Sequence, residues 1–254
     1  MLLALDIGNT NITVGVFEGE QLRATWRLST DTSKMPDEYG VMLSQLLQLK
    51  KLSAGDVDAV AMCSVVPPLT LSFVGLCEEY FGVSPLVVGA GVKTGVRILY
   101  DNPRDVGADR IVDALAALKL YGGPCIVVDV GTATVFNAVT KDGEYLGGAI
   151  APGMSIAADA LFHSTSQLRR VELVGPPTAI GKNTIHAIQS GLVLGYADLI
   201  KGMVKRFDDE LGGGSKVVGT GGLAHIIEKE SDVFDAVDPN LTLTGLRLVH
   251  ELNA

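Results

Sequence analysis

The chain has 254 residues, of which 47% are apolar and 19% charged, and it carries a net charge of −9. This length and composition allow a sizeable core in one large or two modest domains, and they argue against a disordered chain. The acidic balance disfavours nucleic-acid binding, although backbone N–H groups can still bind phosphate on an acidic protein.

The amino terminus, MLLALDIGNT, is predicted to form a β-strand, because its apolar run is short and no basic leader precedes it. No apolar run approaches the roughly 20 residues that a membrane span needs. Cys63, Cys77 and Cys125 lack C-x-x-C spacing. We therefore expect reduced thiols and a cytoplasmic location. The four histidines lack the spacing of metal ligands.

After this strand, apolar periodicity predicts alternating strands and helices along the whole chain. A long helix over 183–211 has Asn183 or Thr184 near its N-cap. The other predicted helices cover 36–50, 68–82, 103–123, 223–230 and 241–252, and the other strands cover 57–66, 85–90 and 216–222.

The chain contains an internal repeat, in which LLALDIGNTNITVGVFEGEQL near the start is matched by CIVVDVGTATVFNAVTKDGEYL from Cys125. Each copy has an apolar run, an Asp, a Gly, a second strand and an acidic glycine turn. Two half-chains that open with the same hairpin predict a duplicated α/β fold. We expect two similar lobes, residues 1–120 and 121–254, with a central nucleotide cleft, a plan that resembles acetate kinase, sugar kinases and actin.

The two Asp-x-Gly segments are candidate phosphate loops. In the first, Gly8 allows a close backbone approach, Asn9, Thr10 and Asn11 offer donors, and Asp6 is a candidate Mg²⁺ ligand. Taken alone, this segment is better explained as a hairpin turn, for which Gly-Asn is a common dipeptide. The second copy, beginning at Asp129, favours a pair of loops that clasp a triphosphate.

Two further segments carry candidate chemistry. Gly221 and Gly222 end a strand in a glycine-rich junction, which indicates either an adenosine contact or simply a sharp turn. Asp109 and Arg110 begin a helix, where an Asp can accept a hydroxyl proton and an Arg can bind a carboxylate. The alternative for this pair is a surface ion pair at a helix start.

Together these motifs resemble those of type III pantothenate kinases. The resemblance rests on DIGNTNITVGVF, DNPRDVGADRIVDALAA, DVGTAT, GGAIAPGM, GKNTIHAIQSG and the late GTGG, which occur in the family's order from Asp6 to Gly222. One departure is visible in the second loop, where Val135 stands at a position at which the family often has Thr.

The resemblance implies a role for each matching residue. ATP would be bound by Asp6, Ile7, Gly8, Asn9, Thr10, Asn11, Ile12, Thr13 and Thr132. Pantothenate would be bound by Tyr100, Gly107, Ala108, Asp109, Arg110 and Thr184, with Asp109 as general base. Asp129 would hold K⁺ or NH₄⁺. The family is typically a homodimer, with Thr184 offered across the interface.

The expected activity is ATP-dependent phosphorylation of pantothenate to 4′-phosphopantothenate, the first step towards coenzyme A, without nucleic-acid or membrane partners. A sugar or acetate kinase and a polyphosphate phosphatase are alternatives within the same fold. The GADR and GKNT segments disfavour them, because they belong to the substrate side of the family. An accessory transcription factor is the alternative from another class. The acidic composition and the lack of a helix-turn-helix disfavour direct DNA contact.

Overall fold

The computed structural model describes residues Met1–Ala254, which form eleven β-strands and eight α-helices. They make two compact units. Unit 1 comprises residues 1–96, 101–116 and 242–254, and unit 2 comprises residues 97–100 and 117–241. The predicted boundary between two lobes, at residue 120, stays a prediction. None of the helices has the length and apolar character needed to cross a membrane.

Unit 1 is built on a five-stranded sheet with the order β3-β2-β1-β4-β5. Strands β1, β2 and β3 form an antiparallel meander, whereas β4 and β5 extend the sheet in parallel with β1. The strands are β1 (Leu2–Ile7), β2 (Asn11–Glu18), β3 (Gln21–Ser29), β4 (Ala59–Ser64) and β5 (Leu86–Val87), with α1 (Pro36–Leu49) and α2 (Pro67–Phe81) between β3 and β5.

Alternation along β1 divides its side chains between two cores. Leu3, Leu5 and Ile7 belong to a core with residues of α1 and α2. Leu2 and Ala4 belong to a second core with α3 (Ala108–Tyr121) and α8 (Leu241–Asn253). Asp6 continues the Leu2–Ala4 row, so its carboxylate belongs to the face of the sheet that α3 covers.

Unit 2 is built on a six-stranded sheet with the order β11-β10-β7-β8-β9-β6. Its core contains Ile126, Val128 and Phe136 of the sheet, packed with Ile200 and Val204 of α6. The strands are β6 (Arg97–Ile98), β7 (Cys125–Val130), β8 (Ala133–Val139), β9 (Glu144–Pro152), β10 (Lys216–Thr220) and β11 (Ala236–Val237), and the helices are α4 (Met154–Ser164), α5 (Thr184–Gln189), α6 (Gly195–Leu211) and α7 (Ala224–Glu230).

The predicted repeat is confirmed by the topology. In each unit an antiparallel meander (β1-β2-β3 or β7-β8-β9) is followed by a strand parallel to its first member (β4 or β10). Strands β1 and β7 also show the same burial along their length, with a half-buried Asp as the fifth residue. The two loops differ in length, because Ile7 pairs with Ile12 but Val130 pairs with Thr134.

The predicted helices over 36–50, 68–82, 223–230 and 241–252 are confirmed to within about two residues. The helix predicted over 103–123 begins only at Ala108, because Pro103–Asp105 forms a separate 3₁₀ turn. The long helix after Asn183 runs through α5 and α6 with a π-helical turn at Ser190–Leu194 between them. Asn183 is its N-cap, and its side chain accepts a hydrogen bond from the His186 N–H.

Candidate active site

The first candidate phosphate loop is a hairpin end that a single threonine holds in place. The Gly8 N–H donates to the Asn11 carbonyl at 3.0 Å and closes the turn. The hydroxyl of Thr30, just after β3, donates to the Gly8 carbonyl at 2.6 Å. Its backbone N–H donates to the Thr10 carbonyl at 3.0 Å. Asn9, Thr10 and Asn11 are exposed at the tip of this turn, where a phosphate can approach the loop.

Beside this loop, the Cys63 thiol contacts the carboxylate of Asp6 and is influenced by the charges of two further carboxylates in unit 1. Asp6 and Cys63 are direct neighbours in the parallel register of β1 and β4. The Cys63 thiol donates to Oδ1 of Asp6 at 3.4 Å. Burial raises the pKa of Cys63 well above its ordinary value, and the nearby carboxylates of Asp6, Asp109 and Asp113 raise it further. The thiol is therefore protonated and acts as a donor.

Asp109 lies in the first turn of α3, and burial raises the pKa of its carboxyl above the ordinary value. The backbone N–H and the positive charge of Arg110 lower this pKa and offset part of the effect; the N–H donates to Oδ1 of Asp109 at 2.8 Å. A side chain at Gly107 would clash with this oxygen. Gly107 thus lets the carboxylate lie against the backbone. A carboxylate with a raised pKa is suited to accept a proton.

Asp113 is a member of this group that the sequence motifs did not identify. Its side chain is only 3% exposed, and it lies one turn after Asp109 on the same face of α3. The spacing of four residues between the two aspartates is the signal that could have indicated it. Thr30 had no comparable signal, because only the folded sheet brings it to the loop.

In unit 2, Asp129 lies near the end of β7 between Val135 of β8 and Thr220 of β10. A Cβ atom at Gly221 would clash with Oδ1 of Asp129, and one at Gly131 would lie 3.3 Å from the same oxygen. The carboxylate therefore rests against glycine backbone. Gly221 also has a φ of +88°, a conformation that favours glycine. Gly222 is exposed.

The second candidate phosphate loop is held by the start of α4. The Gly153 N–H, at the N-cap of α4, donates to the Thr132 carbonyl at 3.1 Å. The Thr132 side chain is exposed, as the predicted ATP contact requires. Val135 pairs with Asp129, whereas Thr13 pairs with Asp6, so the departure noted in the sequence lies directly opposite the aspartate. The Thr134 hydroxyl is buried without a hydrogen-bond partner.

Tyr100, a predicted pantothenate contact, follows the short strand β6 in unit 2. The N–H of Leu99, the residue before Tyr100, donates to the Tyr145 carbonyl of β9 at 2.9 Å. A Cβ atom at Gly147, whose φ is +123°, would lie 3.0 Å from Cε2 of Tyr100. The ring of Tyr100 therefore lies over Gly147, with its centroid 6.5 Å from that of Tyr145.

Thr184, the other predicted pantothenate contact of unit 2, lies at the first position of α5 in the wall of a cavity of about 700 Å³. Leu161, Leu168 and Ile188 provide apolar walls, and Lys182 provides a positive charge. Asp129 and Thr132 are not among the lining residues. Unit 2 thus groups Asp129 with Gly221, but it keeps Thr184 in a separate cavity.

Asp6 and Asp129 suit cations that bind together with a phosphate. Across the chain, no three His, Cys, Asp or Glu side chains are arranged to hold a metal ion. A single carboxylate nevertheless fits Mg²⁺ that arrives with a nucleotide, because phosphate oxygens and water complete its ligands. The carboxylate of Asp129, half-buried against glycine backbone, likewise offers oxygen ligands beside the second loop.

Comparison with known proteins gives matches over the whole length. A family model for type III pantothenate kinases matches residues 2–206. A type III pantothenate kinase of Dehalococcoides mccartyi (strain CBDB1) is 52% identical over 99% of this chain and 96% of its own. The enzyme of the same name from Roseiflexus sp. (strain RS-1) is 53% identical over 100% of this chain and 99% of its own.

Solved structures with low sequence identity share the fold. A protein of Campylobacter jejuni described as a Baf family transcriptional activator has a TM-score of 0.63 at 20% identity, covering 99% of this chain and 98% of its own. A polyphosphate/ATP-glucomannokinase of Arthrobacter sp. has a TM-score of 0.52 at 14% identity, covering 100% and 99%. These similarities confirm the predicted actin-like ATPase and sugar kinase fold and, at such identities, carry nothing about activity.

Proposed function

Because this chain belongs to the type III pantothenate kinase family, we propose that it transfers the γ-phosphoryl group of ATP to the primary hydroxyl of pantothenate. The product is 4′-phosphopantothenate, at the first step towards coenzyme A. The observation that carries the proposal is the identity of 52–53% with pantothenate kinases over essentially the full chain. The paired candidate phosphate loops and the half-buried Asp109 are what such a reaction needs.

We assign the phosphates of ATP to the two Asp-x-Gly loops, residues 6–13 and Thr132, and adenosine to Gly221 and Gly222. The exposed donors of Asn9, Thr10 and Asn11 support the first assignment. For Gly221 there is an added function, since its backbone supports Asp129.

Asp109 would act as the general base. Phosphoryl transfer passes through a loose transition state, so orientation of the hydroxyl contributes more than early removal of its proton. The raised pKa of Asp109 suits it to hold the hydroxyl by a hydrogen bond and to take its proton late. Arg110 would bind the pantothenate carboxylate, and Tyr100, Gly107, Ala108 and Thr184 would complete the contacts.

Two cations are part of the proposal. Asp6 would hold Mg²⁺, and Asp129 would hold K⁺ or NH₄⁺. When bound, these ions neutralise negative charge that develops on the phosphates. At the second site the protein's own contribution is to hold the carboxylate of Asp129 against the glycine backbone around it.

A homodimer and a cytoplasmic location complete the proposal. Apolar side chains that are exposed in the single chain lie beside the Thr184 cavity, with Ile180 81% and Ile185 51% exposed. Such a concentration is typical of a surface that a partner covers. Thr184 would then reach the partner's substrate. The three cysteines are free and buried, which suits a reducing compartment.

The deciding experiment is ADP release by the purified protein with ATP and Mg²⁺, with and without pantothenate, each with and without K⁺. We expect release that depends on both additions. Phosphopantothenate identified by mass spectrometry would establish the acceptor. ADP release that a sugar or acetate stimulates, and pantothenate does not, would contradict the proposed substrate. A protein that binds ATP without any acceptor-dependent turnover would contradict the kinase assignment itself.

A further inference from the structure

We propose that Cys63 is a positioning residue, which holds the carboxylate of Asp6 in the orientation that Mg²⁺ and the ATP phosphates require. This inference rests on the role proposed above for Asp6. Neither the motifs of the sequence nor the family comparison assigns Cys63 a role.

The first support is the geometry of the sheet. Cys63 stands directly beside Asp6 because β4 pairs with β1 in parallel register. Both residues face the same side of the sheet, where Sγ of Cys63 donates to Oδ1 of Asp6 at 3.4 Å. A carboxylate at a strand end can rotate about its last torsion, and a donor on one oxygen restricts that rotation. The orientation of Asp6 is thereby set from within the core.

The second support is the environment of the thiol. Cys63 is fully buried, among Ala61, Val112 and Leu246. The hydrogen bond is therefore sheltered from water, and a hydrogen bond in such surroundings is stronger than the same bond at the surface. A thiol is also compatible with apolar neighbours, since free cysteine behaves as a small apolar side chain with a weak donor.

The third support is the contrast with another buried cysteine of the same unit. Cys77 is equally inaccessible, but it lies on α2 and packs in the other core with Phe73 and Leu76. It therefore serves as a matched control for the loss of a buried sulfur. If Cys63 were only a packing residue, changes at the two cysteines would have the same kinds of effect.

The test compares Cys63→Ala, Cys63→Val and Cys63→Ser with Cys77→Ala. Mg²⁺ is titrated into each protein in the presence of a non-hydrolysable ATP analogue, and binding is followed by calorimetry. Turnover is measured as a function of Mg²⁺ in parallel. Cys63→Val fills the space of the sulfur with apolar atoms and removes the donor, so it tests the inference if Cys63→Ala does not fold. Thermal melting reports the packing loss of every variant.

We expect Cys63→Ala and Cys63→Val to weaken Mg²⁺ binding roughly threefold to tenfold, the loss of one hydrogen bond from a weak donor to a charged group. Cys63→Ser, which retains a donor, should recover most of that affinity. Cys77→Ala should melt at a lower temperature but bind Mg²⁺ as the unchanged protein does. Affinity for the ATP analogue without Mg²⁺ should stay the same in all four.

Unchanged Mg²⁺ binding in both Cys63→Ala and Cys63→Val would overturn the inference, as would a folded Cys63→Ser that binds no better than Cys63→Ala. Asp6→Asn separates this result from the proposed function. If Asp6→Asn weakens Mg²⁺ binding and the Cys63 variants do not, only the role of Cys63 is wrong. If Asp6→Asn also binds Mg²⁺ normally, the Mg²⁺ role of Asp6 fails as well.

Discussion

The carboxylate of Asp109 is subject to opposing influences within a few ångströms. Its position in the first turn of α3 and the N–H of Arg110 favour the charged form. Burial favours the neutral form and is the larger effect, so the pKa of Asp109 is raised. A carboxylate in this balance is a better proton acceptor than an exposed one, and it makes the folded protein less stable when it is ionised.

The kinetic consequence is tested by Asp109→Asn. We expect turnover to fall by about 10²- to 10⁴-fold, the usual contribution of a general acid or base. The dissociation constant for ATP should change little, because Asp109 is assigned to the acceptor hydroxyl. Asp142→Asn, an exposed aspartate in the β8–β9 turn, is the control. Losses of turnover and ATP affinity in equal measure would argue against a base at this position.

The same variant should be more stable than the original at neutral pH. Since the folded pKa of Asp109 lies above the unfolded value of 3.8, the folded protein binds more protons between these two values. The stability contributed by this group is therefore complete below the unfolded pKa and is lost as pH rises through the folded pKa. Melting curves should show Asp109→Asn about 2–4 °C higher near neutral pH. This advantage should shrink as the pH is lowered, and an advantage independent of pH would contradict the explanation.

At the scale of single elements, the loop after β10 has a clear structural function. Gly221 follows β10 with a positive φ, and the Leu223 N–H donates to the Val130 carbonyl at 2.9 Å. This hydrogen bond ties the loop to the end of β7, where Asp129 rests against Gly221. The glycine-rich junction therefore shapes the proposed cation site, in addition to any contact with adenosine.

A comparison of Gly221→Ala with Gly212→Ala separates the effect on Asp129 from the effect of backbone strain. Both glycines have nearly the same positive φ, +88° and +90°, so each substitution adds similar backbone strain of about 1–2 kcal/mol. Only a side chain at Gly221 would meet other atoms, namely Oδ1 of Asp129 and the backbone of Val130, since nothing lies within 4 Å of one at Gly212. We expect Gly221→Ala to raise the K⁺ concentration for half-maximal activity by roughly tenfold or more. The Gly212→Ala protein should keep the original value, and an equal shift in both would indicate strain alone.

The sequence predicts those elements that depend on a pattern of neighbouring residues. The repeated hairpins and helices α1, α2 and α8 follow from apolar spacing and from Asp-x-Gly turns. By contrast, β6 has two residues and exists only because it pairs with β9. Thr30 and Gly153 hold the candidate phosphate loops through contacts with distant residues, and Cys63 reaches Asp6 only through the β1–β4 register. Such contacts depend on tertiary pairing, which has no periodic signature.

At the scale of the whole molecule, the proposed dimer can be tested on one exposed residue. Ile180 (81% exposed) is next to Gly181 in the lining of the Thr184 cavity, whereas Leu71 of α2 (80% exposed) lies in unit 1 and is not part of that lining. We expect Ile180→Glu to shift the protein from dimer to monomer in sedimentation equilibrium and to reduce activity, because a buried charge without a partner weakens an interface. Leu71→Glu should leave the dimer intact. A monomeric but fully active original protein would contradict the shared site.

The discontinuity of unit 1 has a consequence for biosynthesis. Helix α8 follows all of unit 2 in the sequence, yet its Leu243, Leu246 and Val249 fill the core against Leu2 and Ala4 of the first strand. During translation, β1 therefore leaves the ribosome long before the helix that covers it. Unit 2 has all its residues available earlier, so its core can form before the core of unit 1 that α8 completes. Until α8 emerges, the face of β1 that carries Leu2 and Ala4 is an apolar surface that chaperones can bind.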